Sequence, residues 1–211
     1  VAAELWPALL PQNLPHLRQL FARLHWREHI HLDVVGPPYG RSNLLPSDLK
    51  KLRGLRHVTL HLMVRRPADF FPLPAWVDEV IVHREAVAAW SDLHVQKGRA
   101  KCSFAVSPQD RLSLVEQLTP RPKHAVVMGI QPGVQGRRPA TNTLARVRQL
   151  HAQGFDCMVD GSVSLTRLPS LYAAGARSFV VGSRIVQAKD PQATEALFHV
   201  QLRALASIHG A

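Results

Sequence analysis

The feature that most restricts this chain is a rhythm. Short apolar runs rich in strand formers alternate with stretches of helical spacing along all 211 residues. Parallel strands need a crossover between them, usually a helix, so the alternation is the mark of βα units. The strand-like runs fall at 5–11, 29–36, 58–64, 78–85, 101–107, 124–130, 155–160 and 176–183, the first (LWPALLP) interrupted by prolines. Helical spacing covers 14–24, 47–52, 86–96, 110–118, 141–153, 165–174 and 191–208, with Ser47 expected as the cap of the second; 67–76 holds too much proline for a long helix. Eight runs apolar enough to be buried on both faces predict an α/β fold, a closed (β/α)8 TIM barrel. An open doubly wound sheet is the alternative and would put ligands at its switch point. No linker or shift in composition divides the chain, so a single TIM-barrel domain over 1–211 is expected.

The run HIHLDVVG at 29–36 carries polar groups that a strand core must account for. Side chains at i and i+2 share a strand face, so His31 and Asp33 point together while Ile30, Leu32 and Val34 point away. VTLHLMV places His61 near the end of the third run, and FDCMVDGSV places Asp160 at the end of the seventh. Taken singly, a strand histidine is most simply a core residue and an aspartate before glycine a turn former. Together, His31, Asp33, His61 and Asp160 form a ligand set for one divalent metal ion, imidazole suiting zinc or iron and carboxylate suiting manganese. In a barrel all four lie at or near the carboxyl ends of strands, where reacting groups gather. A second constellation is the glycine turns after the last three strands: Gly133 and Gly136, Gly161 with Ser162, and Gly182 with Ser183. Glycine lets backbone N–H groups approach an anion, and this end of a barrel is a phosphate position; each turn alone is more simply a tight turn, while three on adjacent late strands favour phosphate.

Charge and composition narrow the partners. The formal charge is +11, but the basic residues are scattered, with short clusters at Arg65-Arg66 and Arg137-Arg138. A nucleic-acid footprint gathers on one face, so the balance favours a phosphorylated small molecule, with no nucleic acid as partner. No apolar run reaches the ~18 residues of a membrane span, and VAAELWPALL lacks the pattern of a secretory leader. A cytoplasmic location, no membrane partner and buried free thiols at Cys102 and Cys157 are therefore expected; a homo-oligomer is left open.

The segments HLDVV (31–35), HLMV (61–64), VHREA (82–86), MGIQPGVQG (128–136), VDGSV (159–163) and VVGSRIV (180–186) resemble the ribulose-phosphate 3-epimerase family in content, order and spacing. The resemblance implies a ribulose-phosphate-binding TIM barrel with one divalent metal (zinc, iron or manganese) on His31, Asp33, His61 and Asp160. It implies that Asp33 and Asp160 are the catalytic acid/base pair, and that Met63 and Met128 pack at the substrate pocket, where ordinary core packing is an equal reading. The expected activity is isomerase chemistry: epimerisation at C3 of a ketose phosphate, D-ribulose 5-phosphate or a close analogue, through a cis-enediolate. The chain departs from the family in three places. Ala8 stands for a first-strand serine, the loop after Asp33 is rewritten as Val35-Gly36-Pro37-Pro38-Tyr39-Gly40-Arg41-Ser42-Asn43, and the late turns carry Gln135, Arg137 and Ser162 where glycine, glutamine and glycine are usual. These changes support an alternative, a divergent barrel that binds a sugar phosphate with altered substrate or little turnover.

Overall fold

The computed structural model describes residues 3–52, 54–133 and 136–208. Its strands are β1 (Glu4–Leu9), β2 (Ile30–Val35), β3 (Val58–Met63), β4 (Val77–Val82), β5 (Lys101–Val106), β6 (His124–Met128), β7 (Asp156–Asp160) and β8 (Ala176–Val181). They pair in sequence order and β8 returns to β1, closing a barrel in which every pairing is parallel. The expected (β/α)8 architecture is therefore the observed one.

Residue alternation divides the core into two layers. Ile30, Leu32, Val34, Leu60, Leu62, Val80, Val82 and Phe104 point outward and are buried beneath the helices. The inward faces contribute Ala8, Ile81, Ala105, Val126, Met128, Met158 and Val180, with Trp6 at the edge of this smaller cluster. Burying a Leu, Val or Ile stabilises the fold by about 1.5–3 kcal/mol, so the outer layer supplies most of the apolar driving force. The inner one leaves room for polar side chains at both ends. Toward the amino ends of the strands Glu79 is buried, accepting from Ser103 Oγ and lying 3.3 Å from His124 Nδ1. Burial pushes its carboxyl up, but these partners outweigh it and hold it below the usual range.

The helices are α1 (Leu14–Ala22), α2 (Pro46–Leu49), α3 (Trp90–Gln96), α4 (Ser113–Glu116), α5 (Thr143–Ala152), α6 (Leu168–Ala173), α7 (Ser183–Val186) and α8 (Pro191–Ile208). Asn13 caps α1, its side chain accepting from His16 N–H at 2.9 Å. Helix α8 buries Phe198, Leu202 and Leu205 on one face. Ser47 is not the cap of α2. The helix begins one residue earlier because Pro46, with its fixed φ and no N–H, suits the first turn, and Asp48 reaches back to accept from Leu45 N–H at 3.0 Å. The stretch expected as one helix over 86–96 opens as a 3-10 turn at Arg84–Ala89 before α3, and strand eight stops at Val181 so that Ser183 begins α7.

Candidate active site

Parallel register brings the polar residues of three strands to one height. Asp33 lies opposite His61 across β2 and β3, and Met128 opposite Asp160 across β6 and β7. The result is a tight four-residue knot. His31 Nε2 is 3.2 Å from Asp33 Oδ1, 3.3 Å from His61 Nδ1 and 3.7 Å from Asp160 Oδ2. His61 Nδ1 is 3.2 Å from Asp33 Oδ1 and 2.9 Å from Asp160 Oδ2. Both histidines are fully buried, while Asp33 and Asp160 keep a sliver of surface.

The donor set fits a divalent cation. Metal–nitrogen and metal–oxygen bonds of about 2.0–2.1 Å put tetrahedral donors about 3.3 Å apart, and these five separations run from 2.9 to 3.7 Å. Without a cation, protons must do the balancing. Burial would lower His61, but Asp160 and Asp33 beside it win and push it up to about 9. Burial would likewise raise Asp33, but hydrogen bonds and charge from His31 and His61 hold it well below the usual carboxylate range.

Behind His61 stands a further buried histidine, from the VHREA segment. His83, fully buried at the end of β4, lies with Nε2 2.8 Å from His61 Nε2 and Nδ1 3.4 Å from Ser107 Oγ. Burial, then the charge of His61, holds it well below the ordinary histidine value. A neutral His83 accepts the N–H of His61 and so leaves His61 Nδ1 facing the carboxylates. The signal was its i+2 spacing from Ile81, which puts it on the inner face. Asn43 is a second such residue. Its side chain donates to Asp33 O at 3.0 Å and accepts from Val35 N–H at 2.9 Å, tying the loop after β2 to the strand that carries Asp33.

Asp33 and Asp160 open onto a cavity of about 420 Å³ at the carboxyl end of the barrel. Gly133, Gly136, Gly161, Ser162, Gly182 and Ser183 all line it, as do Met63, Met128 and Ala8. Every site residue singled out from the sequence thus lies in the knot or on the cavity wall; Val134 and Gln135 of the same turn fall outside the described residues. Arg137 and Arg184 line the wall too, beside the glycine turns. Two close approaches shape it. Gly129 N–H donates to Asp160 O at 2.7 Å, and a Cβ there would sit 2.2 Å from Gly161 O. Gly133 adopts φ +93° with the Tyr39 carbonyl 2.3 Å from where a Cβ would be, which seats the rewritten loop after β2 against the turn after β6. Tyr39 also donates to Glu85 Oε2 at 2.7 Å and packs at a tilt against the His83 ring, centroids 5.0 Å apart. Ser162 keeps the left-handed backbone, φ 61°, and its buried hydroxyl has no partner among the described residues.

The ribulose-phosphate 3 epimerase family model matches residues 4–186. A ribulose-phosphate 3-epimerase of Treponema pallidum (strain Nichols) is 29% identical over 192 residues, spanning 84% of this chain and 88% of that protein. One from Escherichia coli (strain K12) is 28% identical over 176 residues, spanning 76% and 78%. Among solved structures, a 3-keto-L-gulonate-6-phosphate decarboxylase from Vibrio cholerae O1 superposes with a TM-score of 0.68 at 15% identity, covering 97% of this chain and 98% of that one. A 3-hexulose-6-phosphate synthase from Salmonella typhimurium does so at 0.65 and 16%, covering 96% and 99%. These two likenesses concern the fold.

Proposed function

The chain belongs to the ribulose-phosphate 3-epimerase family, and from that premise we propose that it epimerises a ketose phosphate at C3, with D-ribulose 5-phosphate and D-xylulose 5-phosphate as the pair. The observation that carries the reading is the placement of Asp33 and Asp160. Both reach the cavity, from β2 and from β7, with the two histidines directly beneath them. A divalent cation held by His31, Asp33, His61 and Asp160 would supply Lewis-acid stabilisation of the charge that develops at the substrate carbonyl oxygen.

The chain's own groups do the rest. The reaction removes the proton on C3 and returns one to the opposite face, so it needs a base and an acid on the two sides of one carbon. Asp33, held ionised at neutral pH, accepts the proton on one face; Asp160 delivers one on the other, and the two exchange parts in the reverse direction. Met63 and Met128 line the cavity with apolar surface against the planar enediolate. The phosphate lies against the turns at Gly133, Gly136, Gly161, Ser162, Gly182 and Ser183, all on the cavity wall, where glycine permits close approach to backbone N–H groups, with Arg137 and Arg184 adding positive charge.

A second reading rests on Ala8. It lines the cavity with a methyl group where a serine hydroxyl is usual in the family, which supports a barrel that binds a sugar phosphate with little turnover. One experiment separates the two: incubation with ribulose 5-phosphate in deuterated water, following label at C3 and xylulose 5-phosphate formation, with metal content measured on the same sample. Exchange and product that vanish on chelation are the expected result. Tight binding by metal-loaded protein without exchange at C3 would decide for the second reading.

A further inference from the structure

The opposite end of the barrel holds a second set of ligand-type side chains. His29 precedes β2, His57 precedes β3 and Asp78 lies near the start of β4, so the three sit at neighbouring strand starts. Each offers one ligand atom, and those atoms lie within 4.8 Å of one another. The two imidazoles stack with centroids 4.5 Å apart and 9° between planes, and His57 Nδ1 is 2.8 Å from Asp78 Oδ2.

Two backbone irregularities produce this convergence. Val58 pairs with Val77 and Thr59 with Glu79, so Asp78 is an extra, unpaired residue in β4. Such a bulge re-aims a side chain, and here it serves Asp78. His57 takes φ 56°, a left-handed conformation that non-glycine residues adopt at a cost. His29 gains no hydrogen bond to its ring among the described residues; its ring contacts are His57 and Trp6. An ion pair between His57 and Asp78 needs neither a second imidazole nor the bulge. The ligand atoms of all three side chains lie within reach of one cation at the rim, which the two imidazoles would meet by turning out of their stack and His57 by exchanging its ion pair with Asp78 for a metal bond.

We propose that His29, His57 and Asp78 bind a second divalent cation of the imidazole-favouring class, zinc or a neighbouring transition metal, with water in the remaining positions. The cation ties the starts of β2, β3 and β4 together at the end of the barrel away from the cavity. It is a structural site, and turnover does not pass through it.

The test is equilibrium dialysis of untagged, chelator-stripped protein against Co²⁺, with bound metal counted for wild type, His57→Ala, His29→Ala and His61→Ala. Two cations per chain are expected for wild type and one for each variant. His57→Ala keeps whatever C3 exchange wild type shows, and Co²⁺ raises the thermal midpoint of His61→Ala but not of the double variant His57→Ala/His61→Ala. Wild type binding one cation and His57→Ala none would uphold this site while sinking the one at the cavity. His57→Ala and His29→Ala each binding as many cations as wild type would overturn the proposal.

Discussion

Without a cation in the knot, His61 is charged between two carboxylates, and that has a measurable consequence for stability. Its value is pushed up to about 9 in the folded chain against an ordinary 6.5. A raised folded value means the folded state holds the proton more tightly, so the stabilisation is fully present below pH 6.5 and is lost as pH climbs through 9. The difference in proton binding is worth about 2 kcal/mol at pH 7.5, and most of it is gone by pH 9. Nearby groups leave this window clear. Asp33 lies well below the usual range and stays ionised throughout, and His83, held low, ceases to contribute once the unfolded chain has also lost that proton. The thiols of Cys102 and Cys157, raised by burial to about 12, add loss only near the upper edge. Urea unfolding of chelator-treated protein at pH 7.5 and 9 should therefore show a steeper drop than that of His61→Asn, which keeps both thiols. Saturating cation should reverse the sign, since a ligand nitrogen must be deprotonated to bind and cation affinity rises with pH. A wild-type slope equal to that of His61→Asn would refute the charge assignment in the knot.

Three further outcomes follow from the cavity. Asp160→Asn should cut solvent exchange at C3 by about 10²-fold or more while sugar-phosphate binding stays measurable by calorimetry; undiminished exchange removes Asp160 from its part. Gly129→Ala forces a Cβ onto the Gly161 carbonyl and should cost about 1–3 kcal/mol in urea unfolding, together with metal content, since that carbonyl adjoins Asp160. Ser162→Gly relieves a left-handed residue and should raise stability by about 0.5–1 kcal/mol; a loss would show that the serine hydroxyl supports the turn.

Much of this was legible because strand periodicity is local. The spacing of His31 and Asp33 fixes their shared face with no knowledge of the rest, and the outward burial of Ile30, Leu32 and Val34 is its counterpart. At the start of α2, Ser47 is a good cap in isolation, but proline at the first helical position and Asp48 reaching back to Leu45 outweigh it. Other features depend on contacts across the barrel. That His83 backs His61 follows from the meeting of two strand ends, and that Tyr39 lies against Gly133 follows from two loops whose course no propensity dictates. The bulge at Asp78 needs the β3–β4 register, which a single strand does not reveal.

The most direct test of the central claim is anomalous diffraction from crystals grown with Zn²⁺ or Co²⁺. The account predicts a peak within about 2.0–2.2 Å of His31 Nε2, His61 Nδ1 and a carboxylate oxygen of each of Asp33 and Asp160. Those four side chains turned on one another, with every peak lying elsewhere at saturating metal, would contradict it.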